Sequence, residues 1–180
     1  MSKINILRII SAHFDSLRDA STGKHSISDV ILFFGAPLLA AAMGWYLGWG
    51  LYVDALNAVL AAFAIFAGLL LNLLLLIYTF STDANHPVAL AKLRLAFVRE
   101  LHNNIAFAIL VSIGIVVVAM VAIGDLKMVA PEQPAHTGRV ITAILLYLIV
   151  NFVLTLLMIL KRIHVMMGQE LDKPKIRKVS

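Results

Sequence analysis

The 180-residue chain contains no cysteine. That excludes disulfides, cysteine-ligated metals and thiol catalysis, and leaves the compartment open. Charge is also scarce: Asp, Glu, Lys and Arg make up 14% of the residues, where a soluble domain carries about a quarter. The deficit is concentrated in four stretches, about 30–49, 55–80, 105–123 and 140–160, which contain none of these four residue types. No GxSxG elbow, glycine-rich phosphate loop, HExxH or HxxxH spacing occurs. Arg99 with His102, and Arg162 with His164, are too close for an Arg-to-His ribonuclease motif. No catalytic, metal-ligating or cofactor-binding residue is therefore expected, and the six histidines read as interfacial or solvated. A coupled transporter keeps an ionisable group inside the membrane, and these stretches hold none.

What is present is apolar: 61% of residues are hydrophobic and mean hydropathy is +0.93. Each stretch meets the length of roughly 20 residues that a helix needs to cross hydrocarbon, and the first is too long for a cleavable signal peptide. Thirteen of the fifteen basic residues fall in the N-terminal arm (Lys3, Arg8, Arg18, Lys24), the middle connection (Lys92, Arg94, Arg99) and the tail from Lys161 onward. Lys127 and Arg139 remain for the opposite side. Basic residues stay on the cytoplasmic side. The expected fold is thus all-α integral membrane, four transmembrane helices with cytoplasmic N- and C-termini.

Residues 1–28 form the first region, a cytoplasmic amphipathic helix and a turn. Ile6, Ile10, Phe14 and Leu17 recur at helical spacing opposite Arg8, Ser11, Asp15 and Arg18. This helix either lies at the lipid interface or packs on the protein's own cytoplasmic helices. Residues 29–165 form the transmembrane domain. Within it, Pro87 opens a helical pattern that runs unbroken into the third span, so a long third helix extends into the cytoplasm through residues 87–104. Residues 166–180 are a basic cytoplasmic tail that suits anionic membrane lipid. Pro37 sits inside the first span as a candidate hinge.

Small and amide residues mark particular helix faces. Ala36, Ala40, Gly44 and Gly48 recur every four residues, a helix-packing face that allows close backbone approach. The second span carries Asn57, Ala61, Ala64, Gly68 and Asn72, with Gly68 also assigned to packing. The third carries Asn104, Ala108, Ser112 and Ala119, and the fourth Tyr147, Asn151 and Thr155. These faces either meet inside one four-helix bundle or line a pore or interface between copies. Neutral amides and hydroxyls with apolar constrictions are what such a pore would show. Asn72, Asn104, Asn151, Thr155 and Ser112 are the pore or interface candidates. Repetition on several helices favours a homo-oligomer.

Three stretches, "HFDSLRDASTGKHSISDVILFFGAPLL", "ALNAVLAAFAIFAGLLLNLLLLIY" and "ELHNNIAFAILVS", resemble small four-span membrane subunits of bacterial antiphage defence systems, of the Hailong or Kiwa kind. The resemblance covers residues 13 to 112, lies in hydrophobic texture, and transfers no functional residue. It implies a homo-oligomer, expected to be a tetramer, in the bacterial inner membrane. A Hailong-like member would be a channel effector controlled by a nucleotide or oligonucleotide; a Kiwa-like member would sense membrane disturbance with a cytoplasmic partner protein. Lys92, Arg94, Arg99 and Arg18 would then face a polyanionic ligand or anionic lipid. The function expected is a channel gated from the cytoplasmic side that depolarises the membrane, with a non-conducting anchor or sensor as the alternative.

Overall fold

A computed structural model describes residues 6–15, 27–81, 88–127 and 137–171, with side chains over 6–13, 31–78, 97–126 and 137–164. The described residues form five helices: α1 (Ile6–Asp15), α2 (Ile27–Tyr46), α3 (Val53–Ser81), α4 (Val88–Lys127) and α5 (Arg139–Leu171). Three of them carry segments long and apolar enough to cross a bilayer: Val53–Tyr78, Phe97–Leu126 and Arg139–His164. A shorter apolar stretch, Ile31–Tyr46, belongs to α2. Many large side chains point outward, among them Leu39, Ile65, Leu69, Leu75, Val121 and Leu160. So much outward apolar surface suits lipid rather than water.

The helices do not pack in chain order. α3 packs on α4, α4 on α5 and α5 on α2, while α1 lies against α4. Among the described residues α2 and α3 do not pack on each other, although only a short turn separates them. α4 is the hub. Leu101, Asn104, Ile105, Ala108, Ser112, Ile115, Ala119 and Ala122 are all buried along it. α3 meets it along Leu56, Phe63, Leu70 and Ile77, a seam with the seven-residue repeat of left-handed helix pairs. Phe63 and Phe66 also reach across to Phe152 of α5, with ring centroids 4.9 and 5.5 Å away.

Several boundaries differ from those expected. The first span was expected to run to about residue 49, but α2 ends at Tyr46 in a closed terminal motif. The amide of Gly48 donates to the carbonyl of Trp45 at 3.2 Å, and that of Trp49 to Gly44 at 3.0 Å. This pattern needs a left-handed residue, and Gly48 supplies it with φ +67°. Gly48 therefore stops α2 instead of continuing its small face. At the far end α5 runs to Leu171, six residues into the region expected to be tail. α4 passes through Gly124 and Asp125 to Lys127.

The α2–α3 turn is tied to the start of α5. Leu51 donates its amide to Thr137 Oγ1 at 2.8 Å, and Thr137 returns its own amide to the Leu51 carbonyl at 3.0 Å. Thr137 Oγ1 also meets Thr142 Oγ1 at 2.6 Å. This clasp satisfies backbone groups at a helix junction, where they lack intrahelical partners.

Candidate functional site

Polar side chains gather at two places inside the bundle and one outside it. The first inside group lies where α1 meets α4. α1 turns Ile9, Ile10 and His13 inward, while Ile6, Leu7, Arg8 and Ser11 stay exposed. Ile6, on the apolar face expected either to lie on lipid or to pack on the protein, is 44% exposed. His13 is fully buried, against the expectation that every histidine is interfacial or solvated. His102 and His164 are exposed.

Three contacts hold the imidazole of His13. It stacks on Phe107 of α4 with centroids 3.9 Å apart and planes 6° from parallel. Phe33 of α2 meets it edge-on at 5.7 Å. Its Nδ1–H donates to Asn104 Oδ1 at 2.9 Å, which puts the neutral ring's proton on Nδ1. Beyond this pair, Arg162 of α5 donates to the Glu100 carboxylate of α4. Burial pushes His13 down to about 4; the bond to Asn104 opposes this, and the positive field of Arg162 adds to it.

The second set of inside groups is Ser112 of α4 with Asn151 and Thr155 of α5. Ser112 and Thr155 are fully buried and donate to carbonyls of their own helices, Ser112 to Ile109 at 2.8 Å and Thr155 to Asn151 at 2.9 Å. Such back-bonding satisfies a hydroxyl without any neighbour. Asn151 is buried beside them, and its Oδ1 accepts no hydrogen bond among the described residues. Asn104, Ser112, Asn151 and Thr155 are thus interior groups of one copy. Of the two places expected for these residues, inside one bundle or on a pore or interface between copies, their burial accords with the first.

The outside group is the face of α3. Asn57, Ala61, Ala64, Gly68 and Asn72 are all exposed. A methyl group built on Gly68 would meet nothing within 4 Å. This face turns away from the Leu56–Ile77 seam because both recur at helical spacing on different sides of one helix.

The α2 small face behaves differently. Gly44 is buried against Leu146 of α5, and Ala40 is half-buried. Pro37 is buried too, and α2 continues through it. Its missing N–H removes the partner of the Phe33 carbonyl, one turn earlier. Of the basic candidates, Arg99 is exposed on α4. Lys92 and Arg94 lie in α4 with side chains outside the described set, and Arg18 lies outside the described residues altogether. Among the described residues no group of His, Asp and Glu is arranged to hold a metal ion.

Comparison with protein-family models, with curated proteins and with solved structures finds no match.

The sequence reading passed over His13. Its signal was its position, three residues after Ile10 and seven after Ile6, on the apolar side of a helix otherwise polar on the other.

Proposed function

We propose that this chain is a four-span membrane protein with cytoplasmic termini that assembles with copies of itself into a channel, through the outward face of α3. The observation that carries this is the split between polar groups. Asn104, Ser112, Asn151 and Thr155 are buried inside one copy, whereas Asn57 and Asn72 stand on an outer helix face among Leu, Ile and Ala. An amide facing lipid lacks hydrogen-bonding partners, and a neighbouring helix with small residues supplies them at close range. With α3 turned to an oligomer axis, the wall would present neutral amides alternating with Ala and Gly, the chemistry of a weakly selective pore.

The cytoplasmic side carries the α1 site, so control of the channel belongs there. The defence setting rests on the resemblance of residues 13–112, and within it the channel would depolarise the bacterial inner membrane. The second reading, a non-conducting anchor or sensor, draws on exposed Arg99, His102, Lys161 and His164 near the same end of α4 and α5. That basic surface suits anionic lipid or a cytoplasmic partner.

Planar-bilayer conductance and subunit counting of the purified protein decide between them. The channel reading expects unitary currents that change in size when Asn72 is replaced by Leu. Oligomers that stay silent under voltage, at several pH values and with nucleotides added would overturn conduction. Monomers in detergent and in lipid would overturn assembly through α3 as well.

A further inference from the structure

The contacts of α1 combine a small attachment with an unusual anchor. α1 is ten residues long and packs on α4. An isolated helix of that length is marginal in water, so its order depends on where it docks. Its inward residues are Ile9, Ile10 and His13, and His13 is the most deeply buried of them. Among the described side chains of α1, the anchor is also the one inward residue whose charge depends on pH. Protonating it would place a cation between two aromatic rings, away from water, on the same side as a guanidinium.

Among the described side chains the charged groups near the ring are few. From α4 comes Glu100, half exposed and bonded to Arg162; from α5 comes Arg162 itself, mostly buried. α2 contributes Phe33 and no charged group among its described side chains. On α1 itself Arg8 points outward. Asn104 keeps its bond whether the ring is neutral or charged, because Nδ1 donates in both forms. Desolvation and Arg162 therefore decide, and both act against the charged form.

Released, α1 has a second place to go. Ile6 and Leu7 are 44% and 77% exposed while it is docked. Undocking adds Ile9 and Ile10 to this apolar side and leaves Arg8 on the polar one. A short helix with a basic residue beside an apolar face fits the headgroup layer of an anionic membrane.

We propose that α1 is a proton-released strap: neutral His13 keeps it docked on α4, and protonation of that imidazole frees it to lie on the lipid surface. The two placements open to this helix from its sequence are then two states of one element. The strap operates whether or not the protein conducts.

The sign follows from linkage. The docked ring titrates below the free one, so docking is fully present above the ordinary histidine value and is lost as pH falls toward the docked value of about 4. Between about pH 7.5 and about pH 5 the docking equilibrium should weaken roughly 30-fold. Because the chain has no cysteine, Ser11→Cys on α1 and His164→Cys on α5 give two clean spin labels at exposed positions. In phosphatidylglycerol-containing vesicles, pulsed electron paramagnetic resonance should show one docked distance at neutral pH and a growing longer population on acidification. The His13→Gln protein, whose amide can still donate to Asn104, should keep the docked distance throughout. If that variant fails to fold, Arg162→Gln provides the second test. Removing the opposing cation should move release to lower pH. An unchanged distance in the unsubstituted His13 protein, or the same acid response in His13→Gln, overturns the strap. A released label that tumbles freely in water, instead of slowing at headgroup depth, overturns the lipid half.

Discussion

Gly44 of α2 backs onto Leu146 of α5 so closely that a methyl group on the glycine would overlap the leucine Cδ1. The overlapping atom is the tip of a flexible side chain, so the size of the added group sets the outcome. Gly44→Ala should cost about 1 kcal/mol or less as Leu146 turns aside, and Gly44→Val about 1–3 kcal/mol. Adding Leu146→Ala to Gly44→Val should return part of that loss. Unfolding in mixed micelles, read as a double-mutant cycle, measures the coupling.

Phe152 ties α5 to α3, because the rings of Phe63 and Phe66 both meet it. Phe152→Ala should lower stability by about 3 kcal/mol or more. Phe152→Leu, closer in volume, should cost less. The same unfolding assay separates the two, and equal losses would count against a packing role for the ring.

The Thr137 hydroxyl oxygen accepts the Leu51 amide, far away in sequence. Thr137→Val keeps the shape and leaves that N–H without its acceptor, at a cost of about 1–3 kcal/mol. Hydrogen exchange at Leu51 should speed up selectively, while exchange along the Leu56–Ile77 seam should not change.

Asn72 is exposed, so Asn72→Leu should leave the fold of a single copy within about 0.5 kcal/mol of the parent. Association between copies should weaken by about 0.6–2 kcal/mol. Dissociation in dilute lipid, followed by fluorescence transfer between labelled copies, reads this directly. Unchanged association would remove Asn72 from any interface.

The long apolar helices were legible because uncharged runs of this length have few other uses. The seamless joining of residues 88–104 to the following span was also readable, since nothing between Val88 and Ile105 interrupts the helical pattern. What could not be read was direction. Asn72, Asn104 and Asn151 look alike in sequence, yet the structure turns the first outward and the other two inward. A face acquires its meaning from the helix opposite, and here the partners are α2 with α5 and α3 with α4. Gly48 misled for a related reason: it continues the four-residue spacing of Gly44, but its left-handed backbone ends the helix. His13 was hidden by its type, because a polar residue on an apolar side was assigned to the surface before its partner Asn104 was known.

The pairing of α2 with α5 has a consequence for how the molecule is made. During synthesis α2 is made well before α5, and its nearest neighbour in sequence, α3, does not pack on it among the described residues. The Gly44 groove therefore stays open until Leu146 arrives. Insertion factors or a neighbouring nascent copy would find that groove accessible at this stage and closed once the ribosome lets go.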